Sequence, residues 1–198
     1  MFVIGLTGPS GAGKGEVARL FAAYGLPVIN ADQIYHDLLL PPSSCLNELT
    51  ECFGRAILSP DGTLDRRALS SIVFSDPAAL EDLNRITHGA VKQEVLRQLT
   101  PEPPLAAIDA IGLFESGLDK LCKLTVAVTA PHAQRISRLM ARDNITREYA
   151  LARIDAQPAD EIFAQKCDFC LTNDGSADDF RQKCLVFLME QGIIKEKL

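Results

Sequence analysis

FVIGLTGPSGAGKGEVARLF, residues 2–21, decides the fold of this chain: a buried strand, a glycine-rich turn and a helix in immediate succession. The turn Gly8-Pro9-Ser10-Gly11-Ala12-Gly13-Lys14 fits G-x-x-x-x-G-K, the spacing of a phosphate-binding loop. Glycines let successive backbone N–H groups turn inward and form an anion-binding nest. The helix that starts near Lys14 adds the positive end of its dipole. Lys14 supplies a point charge for the β- and γ-phosphates. A match between a strand and a helix predicts nucleotide binding rather than a bare turn. One position departs from the usual spelling. A Ser or Thr normally follows the lysine and holds Mg²⁺ through its hydroxyl, whereas Gly15 and then Glu16 stand here.

Outward from this stretch, strands and helices alternate. Strands are predicted over 2–7, 27–30, 105–111 with its end near Asp109, 125–129 and 169–172, and helices over 14–23, 32–39, 131–142, 146–157 and 177–191. The pattern predicts an α/β fold of three layers, with about five parallel strands between helices. Residues 45 to 99 hold no long strand-like run and read as helices 45–53, 65–73 and 77–99, with Ser75-Asp76-Pro77 as a start signal. The expected organisation is a nucleotide-binding core of 1–31, 100–141 and 158–198, a helical substrate-binding insert of 32–99, and a lid of 142–157.

Composition narrows the partners. The chain has 198 residues, 47% of them hydrophobic, and a net charge of −6, which disfavours a nucleic-acid partner. An anionic small substrate remains compatible, because a local arginine cluster works inside an acidic protein. No stretch approaches the ~20 apolar residues of a membrane span. Residues 2–6 are a strand-length run without the basic lead of a secretory signal. A cytoplasmic location is expected. The six cysteines are scattered and read as reduced thiols, and Cys167-x-x-Cys170 is a lone pair with no metal-ligand cluster around it.

Several residues carry candidate chemistry. Asp32 follows the second strand directly, at the carboxyl edge where ligands of open α/β sheets bind. A carboxylate there accepts a proton from a substrate hydroxyl, and the same position suits a helix N-cap; the two roles are compatible. Asp109 ends the apolar run Leu105–Ile108, the place of a Mg²⁺-holding carboxylate or of a plain turn residue. Glu16 is either a further partner or part of a solvated helix face. Arg135, Arg138, Arg142, Arg147 and Arg153 form either a solvated face or a lid that brings guanidinium groups over phosphates. The break Arg142-Asp143-Asn144 suits a mobile lid. Arg66, Arg67 and His88 have local readings as a helix start and a structural histidine.

The ordered set of segments resembles the dephospho-CoA kinase family. The carriers are the phosphate loop, Asn30-Ala31-Asp32-Gln33-Ile34, Gly62 through Phe74, Leu83-Asn84 with His88, Leu113-Phe114-Glu115, Gln134 through Asp143, Arg153 with Gln157, and Asn173-Asp174-Gly175. The likeness runs from residue 2 to about residue 190. It implies a P-loop kinase fold and transfer of the γ-phosphoryl group of ATP, with Mg²⁺, to the ribose 3′-hydroxyl of dephospho-CoA, completing CoA. It makes Asp32 the base or hydroxyl-orienting group. Lys14 and the loop Gly8, Pro9, Ser10, Gly11, Ala12, Gly13, with Gly15 and Glu16, hold the phosphates. Arg142 and Arg147 close from the lid, and Arg147 also meets substrate. Arg66, His88, Leu113 and Glu115 line the substrate side, and Asn173 and Asp174 form the turn near the adenine. Gly15-Glu16, Asn30, Ile111-Gly112 and Gly89 depart from the family pattern. Two alternatives stand beside this reading: a cytidylate-kinase-like nucleoside monophosphate kinase, whose loop is spelled alike, and a catalytically weak nucleotide- or CoA-binding module. Protein partners are not readable from the sequence.

Overall fold

The computed structural model describes residues 1–194; the last residues of the expected core segment 158–198, 195–198, lie outside the described residues. The strands are β1 (Phe2–Thr7), β2 (Val28–Asn30), β3 (Leu105–Asp109), β4 (Leu124–Thr129) and β5 (Phe169–Thr172). The helices are α1 (Lys14–Ala23), α2 (Ala31–Leu38), α3 (Ser44–Phe53), α4 (Arg66–Val73), α5 (Pro77–Gln98), α6 (His132–Asp143), α7 (Arg147–Asp155), α8 (Asp160–Lys166) and α9 (Ala177–Glu190). The chain divides into two compact units: Met1–Ile29, Pro101–Phe114 and Leu118 onward form one, and Asn30–Thr100 with Glu115–Gly117 the other.

The strands form one sheet in the order β2-β3-β1-β4-β5. β1 runs parallel to β3, with Leu6 opposite Asp109, and parallel to β4, with Thr7 opposite Ala127. β5 lies parallel outside β4, with Thr129 opposite Thr172. β1 and β4 are near-continuous apolar runs because helices cover both faces of a parallel sheet. Val17, Leu20 and Phe21 of α1 pack with Phe180, Leu185 and Leu188 of α9 and with Ile4, Leu6, Val126 and Val128 of the sheet. Fully burying a side chain such as Phe21 stabilises by roughly 1.5–3 kcal/mol. α6 and α7 share a second cluster made by Ile136, Leu139, Ala150 and Ile154.

The other unit is helical. Leu49, Ile57, Leu69, Val73 and Ile86 make its core. Short polar caps set its boundaries: Ser43 accepts from Leu46 N–H, Asp65 from Arg67 and Ala68 N–H, and Asp76 from Ala78 N–H just before Pro77. Each cap satisfies backbone donors that a helix start would otherwise leave unpaired.

The expected elements are present, with two differences. β3 ends at Asp109, as expected, and Ile111 beyond it accepts through its carbonyl from Thr7 Oγ1 at 3.0 Å. The cap of α2 is Asn30, whose Oδ1 accepts from Gln33 N–H at 2.8 Å, so Asp32 sits inside the first turn and is not the cap. α8 has no counterpart among the expected elements; it has seven residues and buries only Phe163, too short for a periodic signal.

Candidate active site

The turn after β1 reaches α1 through positive-φ glycines. Gly8 has φ 136°, and a Cβ there would collide with the carbonyl of Val128. Gly13 has φ 112° and would press a Cβ against the Asn173 amide. No other residue type fits either place: L side chains avoid this region, the obstacle at Gly8 is backbone, and that at Gly13 is the buried Asn173 amide, held by its bonds to Ala12 O and Arg138. Gly13 N-caps α1 in the left-handed conformation without a side-chain cap. The N–H groups of Lys14 and Gly15 open α1 toward the kind of anion site that helix starts offer, while Glu16 N–H donates to Gly13 O at 3.0 Å. Lys14 Nζ donates to Gly8 O at 3.0 Å, which folds the ammonium back across the loop.

The loop carbonyls are held from outside. Arg135 Nε donates to Ser10 O at 3.0 Å. Arg138 Nη1 donates to Gly11 O and Ala12 O, both at 3.3 Å. Asn173 Nδ2 donates to Ala12 O at 2.9 Å, and Asn173 Oδ1 accepts from Arg138 Nη2 at 3.1 Å. Turning the Ser10 and Ala12 carbonyls outward turns the N–H groups of Gly11 and Gly13 the other way, because the peptide unit is planar, while Ala12 N–H donates to Pro9 O at 3.3 Å. The mould therefore comes from α6 and from the residue after β5.

Arg135 is only 3% exposed. Burial lowers its pKa and the neighbouring Asp160 carboxylate opposes that, while the two groups form an ion pair. Its guanidinium nonetheless stays charged. Arg138 also donates to Gln134 Oε1 at 2.9 Å. Sequence reasoning placed both arginines in the run of lid or surface charges; their function as struts of the loop depends on burial, which charge spacing does not report.

The remaining expected residues of this unit fall in different places. Arg142 is exposed and clasps the adjacent Asp143 through two bonds of 2.7 and 2.9 Å, and Arg153 meets the same carboxylate at 2.7 Å. Hydrogen bonding from Arg142 first, with the Arg142 and Arg153 charges, holds the Asp143 carboxyl below its usual range. Asn144, in the left-handed region at φ 52°, ends α6, and Arg147 opens α7 exposed. Glu16 is exposed and pairs with Arg19 one turn along α1. Asp174 is bonded by Lys183 at 2.6 Å, which lowers its carboxyl pKa. Asn173 is buried and both ends of its amide are used on the loop and Arg138. Leu113 corrects an expectation: it is fully buried, with its methyl groups against Gly5, and is a core residue rather than a substrate contact.

Asp109 is buried at 8% exposure at the end of β3. Gly15 has open space around the position of a Cβ, so its lack of a hydroxyl is not forced by packing. Among the described residues, no group of three or more His, Cys, Asp or Glu side chains converges to hold a metal.

The helical unit carries the other expected residues. Asp32 lies in the first turn of α2. Arg66 Nη2 meets His36 Nδ1 at 3.1 Å; His36 was not singled out in the sequence, since it belongs to no spaced motif. Burial raises the pKa of Tyr35, opposed by the Arg66 charge. His88 on α5 is half-buried; burial lowers its pKa and the Glu115 charge opposes this.

A parallel sheet of this order, with a moulded phosphate loop after its central strand, defines a P-loop kinase. A model of the dephospho-CoA kinase family matches residues 2–179, and the chain belongs to that family. It is 36% identical to the dephospho-CoA kinase of Idiomarina loihiensis over 183 residues, covering 92% of this chain and 91% of that one. A solved Thermus thermophilus protein superposes with a TM-score of 0.80 at 35% identity, covering 96% of this chain and 97% of that one. The dephospho-CoA kinase of Campylobacter jejuni does so with 0.66 at 28% identity, covering 97% and 98%. No helix among the described residues is long and apolar enough to cross a membrane.

Proposed function

We propose that this protein transfers the γ-phosphoryl group of ATP to the ribose 3′-hydroxyl of dephospho-CoA. The observation that carries the reading is the phosphate loop, its carbonyls held outward by Arg135, Arg138 and Asn173, in a chain that matches the dephospho-CoA kinase family over residues 2–179. Phosphoryl transfer needs positioning and charge stabilisation more than covalent chemistry. The inward loop amides and Lys14 supply both for the ATP phosphates. Asp32 takes the proton of the attacking hydroxyl. Arg142, together with Arg147, serves the phosphoryl group from the segment 142–157, acting as a lid. For Arg142 this requires exchange of Asp143 for phosphate oxygens, an exchange a charge-assisted fork supports. Arg66, His88 and Glu115 form the acceptor side.

Mg²⁺ enters with the nucleotide, as MgATP. The donor set fits an ion carried by phosphate oxygens and water, with Asp109 as the carboxylate able to hold it from the protein side. The ion neutralises charge on the phosphates when bound. The same reading places the enzyme in the cytoplasm.

An ADP-release assay with MgATP, run in parallel with dephospho-CoA, CMP and no acceptor, tests the reading. Turnover with dephospho-CoA alone is expected. Turnover with CMP instead would make the protein a nucleoside monophosphate kinase. ATP binding without turnover on either acceptor would leave a nucleotide-binding module.

A further inference from the structure

Ser10 is gripped at three atoms. Its N–H donates to Gln157 Oε1 at 2.9 Å, its Oγ accepts from Gln157 Nε2 at 3.0 Å, and its carbonyl accepts from Arg135 Nε at 3.0 Å. The direction of the Gln157 amide is fixed by chemistry. A backbone N–H only donates, so the atom facing it must be the amide oxygen, and the NH₂ group then faces the hydroxyl. The hydroxyl spends a lone pair on Gln157 and keeps its hydrogen to donate elsewhere. Gln157 lies two residues beyond α7, whose Ala150 and Ile154 pack on α6. Its carboxamide reaches Ser10 from the C-terminal end of that packed helix.

The place of Ser10 in the loop decides what that hydrogen serves. Pro9 has no N–H and the Ser10 N–H is taken by Gln157, so the hydroxyl is the donor that this part of the loop offers. Backbone amides of such a loop cradle the α- and β-phosphates, and the lysine reaches the β- and γ-phosphates. Lys14 Nζ stands at Gly8 O, on the strand side of the loop, two residues from Ser10. The terminal phosphoryl group belongs on this side. Ser10 is 6% exposed, so a hydrogen bond from its hydroxyl is shielded from water.

We propose that Gln157 is a positioning residue for the terminal phosphoryl group. It acts through Ser10, by holding the Oγ lone pair so that the hydroxyl hydrogen is donated to a γ-phosphoryl oxygen. The inference rests on the kinase reading above and adds a source of discrimination between ATP and ADP.

The test compares wild type, Ser10→Ala, Gln157→Ala and the double variant. Affinities for ADP and for a non-hydrolysable ATP analogue with an imido bridge are measured by calorimetry without acceptor, and kcat is measured with dephospho-CoA. Each single variant is expected to lose about tenfold in analogue affinity and in kcat, the scale of one hydrogen bond to a charged group. ADP affinity should change by less than about twofold on the same argument, because ADP lacks the group addressed. The double variant should be no worse than the worse single, since both substitutions remove one arrangement. Equal losses for ADP and the analogue, or losses that multiply in the double variant, would overturn the proposal. Should Gln157→Ala melt below the assay temperature, Ser10→Ala carries the test, because it keeps the Ser10 N–H and carbonyl contacts. An unchanged ratio of analogue to ADP affinity in that variant would also overturn it. A wild type inactive on dephospho-CoA would refute the acceptor assignment alone, and the affinity ratio would still decide the role of Gln157.

Discussion

Replacing Arg138 with Met removes the strut under the middle of the phosphate loop while keeping the length of the side chain. Arg138 makes four contacts: Gly11 O and Ala12 O, each at 3.3 Å, Gln134 Oε1 at 2.9 Å and Asn173 Oδ1 at 3.1 Å. The two loop contacts are long, so each belongs at the low end for a charged donor, about 1.5 kcal/mol. Ala12 O keeps its bond from Asn173, which limits the second loss to about 0.5 kcal/mol on the same scale. The loop amides then lose about 2 kcal/mol of preorganisation, or roughly 30-fold in ADP affinity. Asn173 Oδ1 is left buried without its donor, at a stability cost of about 1–2 kcal/mol. That corresponds to a fall of about 2–8 °C in Tm for a chain of this size. Calorimetric titration with ADP, beside a thermal melt, reads both effects. Arg138→Lys restores charge but not the fork, and should stay close to the Met variant. An Arg138→Met protein that binds ADP within about threefold of wild type would refute the view that outward-held carbonyls set the nest, since the worked loss is near 2 kcal/mol.

Three further outcomes are expected. Asp32→Asn should lower kcat about 10²–10⁴-fold and leave ADP affinity unchanged, as for loss of a general base; undiminished turnover would remove that role. Gly5→Ala should lower stability by about 1–3 kcal/mol, because the new Cβ would lie 2.8 Å from Leu113 Cδ2 and 2.9 Å from Cys122 Sγ; denaturant melts read this, and an unshifted midpoint would mean the core yields freely. His88 sets a pH dependence. Its folded pKa is lowered by burial, so the unfolded chain binds the proton first, and stability is full above about 6.5 and declines as pH falls from there through the folded value. His88→Gln should flatten that part of the stability profile, and a profile identical to wild type would exclude His88 as its cause.

The backbone of the site is legible in sequence because glycine spacing encodes positive φ and close approach. Gly8 and Gly13 occupy conformations and clearances that side chains are denied, and a seven-residue string captures them. Alternating apolar runs encode β1 and β4 for a similar reason, since burial on both faces leaves few choices of residue. What supports the loop is not local. Arg135 and Arg138 share a spacing with the exposed Arg142, and only the fold shows that the first two turn onto backbone carbonyls while the third turns to Asp143. Leu113 sits in a motif of apparent substrate contacts, yet it is fully buried with its methyl groups against Gly5. Asp32 was expected at a helix start, and it is there, but the capping belongs to Asn30 two residues earlier. Side chains of one chemical type serve different ends according to which way the helix faces them.

The struts of the phosphate loop come from Arg135, Arg138, Gln157 and Asn173, more than 120 residues downstream of the loop residues they hold. During synthesis the loop sequence therefore emerges well before the residues that give it its shape. A chain stopped before Asn173 would carry the complete glycine–lysine string and still lack part of the mould that aims its amides. Nucleotide binding then draws on the folding of the whole sheet, so the ligand stabilises the native state globally by mass action rather than ordering one turn. Nucleotide affinity becomes a reporter of completed folding.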